Sequence, residues 1–203
     1  MKLRDIKTFV VGNPPPHNGG RYFVFVKLTT DGNVSGVGEA YCVPFHPAIV
    51  ARMLEDVFER YLCGADPHNI ETMWRRVYSS GFTQHSDLTM MGVLSALEMA
   101  CWDIIGKEAN QPVYNLLGGR VHERLRSYTY IYARPGDKLD VYQDPDLSAE
   151  RAVELVKQGF TAIKFGWGPM GKDEDTDIAL VREARRGAGN DVDILIDAGQ
   201  VWD

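Results

Sequence analysis

The sequence predicts an α/β protein in two parts: an α+β unit built on an antiparallel sheet with helices, then the start of a parallel α/β unit. Three observations predict it. The first forty residues alternate apolar and polar around an Asp-Gly turn. A long apolar stretch near residue 100 carries helical periodicity. From Ser127 onward, strand and helix patterns alternate at the spacing of consecutive right-handed βαβ units.

Ile6, Thr8 and Val10, then Tyr22 to Thr29, read as two strands. The proline- and glycine-rich segment from Gly12 to Gly20 between them suits neither helix nor central strand. Asp31-Gly32-Asn33 reads as a hairpin turn in which Asp-Gly accepts positive φ, and Val34 to Ala40 as a glycine-rich third strand. His46 to Leu62 has helical spacing, with Ile49, Met53, Val57 and Tyr61 on one stripe. A second amphipathic helix follows Asp66-Pro67 through Met73, Trp74 and Val77, and a polar loop runs from Ser79 to Asp87. Met91 to Glu108 is the strongest helix: Val93, Leu97, Ala100 and Ile104 share a face that Leu94, Cys101 and Ile105 widen. Asn110-Gln111-Pro112 ends it, and Leu116-Leu117-Gly118-Gly119 is a helical turn with a glycine stop.

Beyond Arg124 the pattern changes. Ser127 to Ala133 reads as a strand, Ser148 to Gly159 as a helix capped by Ser148, and Thr161 to Phe165 as a strand. Asp175 to Ala188 reads as a helix through Ile178, Val181 and Ala184, and Ile194 to Ile196 as a strand. The boundary falls near Gly119 to Leu125, giving domains 1–122 and 123–203. A closed barrel takes about eight parallel strands, so three suggest an incomplete domain.

Composition limits the function classes. The chain has 203 residues, 44% hydrophobic and 25% charged, with a formal charge of -6, which argues against nucleic acid or an anionic membrane as partner. No apolar run approaches membrane-spanning length, and the start carries no signal-like apolar segment. Three cysteines without CxxC spacing (Cys42, Cys63 and Cys101) suggest a reducing compartment, so a cytoplasmic location is expected.

One residue type stands out for chemistry. Asp197 closes the last strand, and side chains at the C-terminal strand ends of a parallel barrel point into its mouth. A carboxylate there calls for a partner or a cation, which makes Asp197 a candidate ligand of a divalent metal. The alternative is a helix cap or turn residue.

Several blocks together resemble the enolase superfamily, in its mandelate racemase and muconate lactonizing enzyme branch. They are Gly36-Val37-Gly38-Glu39-Ala40, Ala96 to Lys107 (ALEMACWDIIGK), Pro112 to Gly119 (PVYNLLGG), Gly159 to Lys164 (GFTAIK) and Ile196-Asp197-Ala198. The likeness implies a capping domain followed by a TIM-like barrel, with the sugar-acid dehydratases nearest. It implies Mg2+ held by carboxylates at the ends of three consecutive barrel strands, and a base that takes the proton α to a substrate carboxylate. In a dehydratase the β-hydroxyl then leaves. By the same likeness Asp197 matches the first metal ligand, and Lys164 the first lysine of the family's Lys-x-Lys pair. The second lysine would fall at Gly166, so either Lys164 itself reaches the substrate or the base comes from elsewhere. The plain alternative for Lys164 is pairing with a neighbouring carboxylate.

In that family the capping-domain loops select the distal end of the substrate. Here those are Pro14 to Gly20 and Tyr41 to His46, with His17, Tyr41 and His46 as candidate contacts. Their plain alternatives are a solvent-exposed histidine, a packed tyrosine and a helix cap. Gln84 and His85 are further loop candidates. The expected partner is a hydroxy-carboxylate of the sugar-acid type, and a homo-oligomer is expected by likeness. A racemase, epimerase or cycloisomerase of the same superfamily, or a non-catalytic fragment or pseudoenzyme, are the competing readings.

Overall fold

The structure, a computed structural model, describes residues 1–15, 17, 19–41, 45–134, 136–137, 141–166 and 170–199. Parts of five expected loops lie outside the described residues: Pro16 and Asn18, Cys42 to Pro44, Pro135 of the loop from Arg134 to Asp137, Trp167 to Pro169 of the loop from Gly166 to Lys172, and Gln200. The chain divides into two compact units, Met1–Val121 and His122–Asp203.

The first unit is a three-stranded antiparallel sheet, β1 (Leu3–Gly12), β2 (Tyr22–Thr30) and β3 (Ser35–Ala40), with β2 central. Period-two alternation puts Val24, Val26, Leu28 and Thr30 of β2 on the buried face. The β2–β3 turn differs in detail from expectation. Thr30 pairs with Val34 across three loop residues, and the positive φ sits at Asn33 (61°) rather than at Asp31-Gly32. A turn residue followed by a left-handed one is the usual three-residue hairpin, and Asn tolerates that conformation well.

α1 (Pro47–Val57) continues into a π-helical turn over Phe58–Leu62, and is followed by α2 (Ile70–Tyr78), α3 (Leu88–Glu108) and the short α4 (Val113–Leu116). The buried residues of α1 are Pro47, Val50, Ala51, Leu54 and Val57; of the expected stripe Val57 is buried, Met53 and Tyr61 pack partly buried against the same core, and Ile49 is half exposed.

α3 is the centre of the core. Val93, Leu94, Ala96, Leu97, Ala100 and Ile104 are all fully buried, and Asp87 caps its start by accepting from the Met90 N–H at 2.9 Å. Contrary to the expectation of no membrane-length run, α3 is long and apolar enough to cross a membrane by length and composition. Its buried apolar residues, from Val93 to Ile104, belong to the core of the first unit, while Leu88 and Met99 are exposed. The glycines of β3 explain how the helix gets so close: a Cβ at Gly36 or Gly38 would run into the carbonyls of Ala100 and Ala96.

The second unit is a parallel sheet in the order β4 (Thr129–Tyr130), β5 (Ala162–Gly166), β6 (Asp193–Asp197), with α5 (Pro145–Lys157) and α6 (Glu174–Ala188) as crossovers. β4 is much shorter than the expected Ser127 to Ala133, because only Thr129, Tyr130 and the Ile131 N–H engage β5. α5 starts earlier than expected and is capped by Asp144, which accepts from the Leu147 N–H at 3.1 Å; Ser148 is buried inside the helix. Pro145 at the first helical position suits that start. On α6 the buried residues are Leu180, Ala184 and Ala188, whereas the expected Ile178 is 45% exposed. Ile131, Ile163 and Phe165, on one sheet face, form the core with the two helices.

Candidate active site

The opposite face of the parallel sheet carries polar and aromatic groups. Period two places Tyr128, Tyr130 and Tyr132 together on it, with Lys164 in register with Tyr130 and Asp197 closing β6 beside Gly166. Lys164 Nζ lies 2.9 Å from Asp197 Oδ2, and the Tyr130 hydroxyl donates to the same oxygen at 3.0 Å. The ammonium also sits over the rings of Tyr128 and Tyr130, 5.3 and 5.0 Å from their centroids. Tyr130 stacks on Tyr132 at 5.1 Å and meets Tyr128 in a tilted contact at 6.2 Å.

The charges of this cluster support one another. The Tyr130 hydroxyl and the Asp197 carboxylate hold the Lys164 proton and raise its pKa. Lys164 first, then the Tyr130 hydroxyl, keeps the Asp197 carboxyl below the ordinary range. At neutral pH the pair is an ammonium and a carboxylate, and burial raises the pKa of the neighbouring Tyr132. Lys164 thus takes the pairing that its plain alternative foresaw, and the partner is the other candidate residue of the barrel part.

Gly166 is a glycine for a structural reason. Its φ is +111°, and a Cβ would meet the Asp197 carbonyl oxygen at 2.7 Å and its nitrogen at 3.0 Å. A side chain at this position is incompatible with the observed approach of β6. Any base acting here comes from another position.

The remaining candidates belong to the first unit. The His17 Nδ1–H donates to the Asn13 carbonyl at 2.6 Å, with His17 itself at φ 62°. Tyr41 is 57% exposed and lines a cleft with Tyr22, Phe23 and Phe45. His46 caps α1, its Nδ1 accepting from the Ala48 N–H at 3.3 Å, and its ring lies 6.3 Å from that of Tyr22. Gln84 and His85 tie their own loop together: His85 Nε2–H donates to the Ser80 carbonyl, and Gln84 accepts from the Tyr78 hydroxyl.

The three tyrosines were not singled out from the sequence. Their signal is the alternation Tyr128-Thr129-Tyr130-Ile131-Tyr132, which puts one residue type on one face of a strand. As for a metal, no group of three His, Cys, Asp or Glu side chains able to hold one occurs among the described residues. Asp197 is a hard oxygen donor of the kind Mg2+ takes, but it is a single carboxylate where the ion demands six oxygens. These residues alone do not build a metal site.

Comparison with known proteins decides the family. Residues 17–118 match the mandelate racemase/muconate lactonizing enzyme N-terminal domain, and residues 148–203 match the enolase C-terminal domain-like family. The chain belongs to the mandelate racemase/muconate lactonizing enzyme branch of the enolase superfamily. Within that branch it is 31% identical to a D-galactonate dehydratase of Verminephrobacter eiseniae, over 97% of this chain and 48% of the relative. It is also 31% identical to a D-gluconate/D-galactonate dehydratase of Picrophilus torridus, over 96% of this chain and 50% of the relative. A mandelate racemase/muconate lactonizing enzyme crystal structure from Labrenzia alexandrii superposes with a TM-score of 0.89 at 51% identity, covering 100% of this chain and 53% of that one. The chain spans about half the length of the relatives it matches. The antiparallel unit is therefore the enolase-type capping domain, and the parallel unit is a partial barrel.

Proposed function

We infer that the chain is part of a sugar-acid dehydratase. In the reaction a base takes the proton from the carbon α to the substrate carboxylate, and the C–H electron pair passes into an enediolate. The β-hydroxyl then leaves with a proton as water, and the resulting enol becomes a 2-keto-3-deoxy acid. The carrying observation is the Lys164–Asp197 pair near the C-terminal strand ends, in a chain whose matched relatives include proteins named D-galactonate dehydratase and D-gluconate/D-galactonate dehydratase. Asp197 would be one ligand of Mg2+, the other oxygen donors coming from outside the described residues. The ion would supply positive charge facing the substrate carboxylate.

The chain's own part follows from its geometry. Lys164, held as an ammonium, offers a second positive charge to the oxygens on which negative charge develops. To act as the base it must first leave Asp197 and lose its proton. His17, Tyr41 and His46 are proposed contacts for the distal hydroxyls of the substrate, in a homo-oligomeric cytoplasmic enzyme.

The test is the full-length protein, as its gene encodes it, incubated with Mg2+ and a panel of aldonic and aldaric acids, with 2-keto-3-deoxy products trapped by semicarbazide. Dehydration of at least one acid is expected, lost in Asp197→Asn. A folded protein that dehydrates none, or an Asp197→Asn variant with undiminished turnover, would overturn the reading.

A further inference from the structure

We propose that Tyr130 is a positioning residue for Asp197, anchoring its carboxylate when Lys164 turns to the substrate. The inference rests on the dehydratase reading for its chemistry, and on a geometric coincidence for its substance. The Tyr130 hydroxyl (3.0 Å) and the Lys164 ammonium (2.9 Å) converge on one oxygen, Asp197 Oδ2. Of the roles open to Lys164, that of base requires the ammonium to let go, whereas a substrate contact can use another of its three N–H donors. A carboxylate at a strand end that loses its counter-charge keeps its orientation through its remaining donors, here the Tyr130 hydroxyl beside the Gly199 backbone N–H.

Tyr130 is fitted to keep it. Its hydroxyl is attached to a ring fixed between Tyr128 and Tyr132, and its backbone is paired in register with Lys164. The anchor is therefore rigid and independent of where the lysine side chain goes. Donors that orient a metal-ligating carboxylate typically change ion affinity or activity by about 10–100-fold when removed.

The experiment compares the full-length wild-type protein with Tyr130→Phe, Tyr132→Phe and Asp197→Asn. Tyr130→Phe retains the stacked ring and loses only the hydroxyl, and thermal melting checks that it folds. Free Mn2+ is measured by electron paramagnetic resonance during titration, without substrate, and the ion-free variant is crystallised. Tyr130→Phe is expected to bind Mn2+ about 10-fold more weakly, with Asp197 in an altered or divided orientation, while Tyr132→Phe matches wild type. Unchanged Mn2+ affinity in Tyr130→Phe, where Asp197→Asn loses binding, would overturn the proposal. If Asp197→Asn binds Mn2+ as wild type does, the metal reading falls instead. Positioning is then decided by the Tyr130→Phe structure alone, and an Asp197 carboxylate in its original orientation would end it.

Discussion

At the scale of the residue, the Lys164–Asp197 pair couples the site to pH. Asp197 has a folded-state pKa below its unfolded value, so its contribution to stability is present above about pH 4 and is lost as pH falls through the folded pKa. Lys164 is shifted upward, so its contribution is full below about pH 10 and fades only as pH rises through its folded pKa. Both directions leave the pair charged across the neutral range. Thermal midpoints recorded from pH 6 down to pH 3 should fall more steeply in wild type than in Asp197→Asn. Parallel curves would show that the carboxylate is not paired in solution. Gly166 makes the second residue-level prediction. A methyl group there meets the Asp197 backbone at 2.7 Å on a residue with φ +111°, so Gly166→Ala should cost about 1–3 kcal/mol and lower the denaturant midpoint. An unaltered midpoint would mean that β6 has room to move away. The lysine missing from this position is thus excluded by backbone geometry, which the letters of the sequence could state only as a departure.

At the scale of the element, close approach between helix and sheet decides more than hydrophobicity does. β3 contributes Gly36 and Gly38 so that α3 can lie directly on it. Gly38→Ala drives a Cβ into the Ala96 carbonyl and should destabilise by about 1–3 kcal/mol, whereas Gly12→Ala, with nothing within 4 Å, should stay within about 0.5 kcal/mol. Equal urea midpoints for the two variants would refute the packing argument. The α5 cap is a second case: Asp144→Ala should cost about 1 kcal/mol, read in the same way. These elements also show what was legible in the sequence. The hairpin, α3 and the βαβ alternation were readable because each repeats a period over many residues. The start of α5 was not, because Asp144-Pro145 opens that helix ahead of Ser148. Asp197 and Lys164 could be named from family likeness. Tyr130 could not, since its role depends on which strand lies beside β5, and a sequence does not print strand order.

At the scale of the whole molecule, the two units have separate cores, and the chain between them is exposed. Leu117, Val121 and Leu125 are 63%, 86% and 79% exposed, and no regular element is found between Leu116 and Thr129. Backbone with few buried contacts opens at low cost and is cut first by proteases. Limited trypsin digestion should therefore cleave after Arg120 or Arg124 before other sites. Arg126 should resist: its guanidinium clasps the Thr161 side chain and carbonyl (2.9 and 2.6 Å) and Asp193 (2.6 Å), tying the chain to the starts of β5 and β6. The amino-terminal product has a closed core in which α3 is sealed between β3 and α2, and it should melt cooperatively on its own. First cleavage inside α3 would contradict a division of stability along this line.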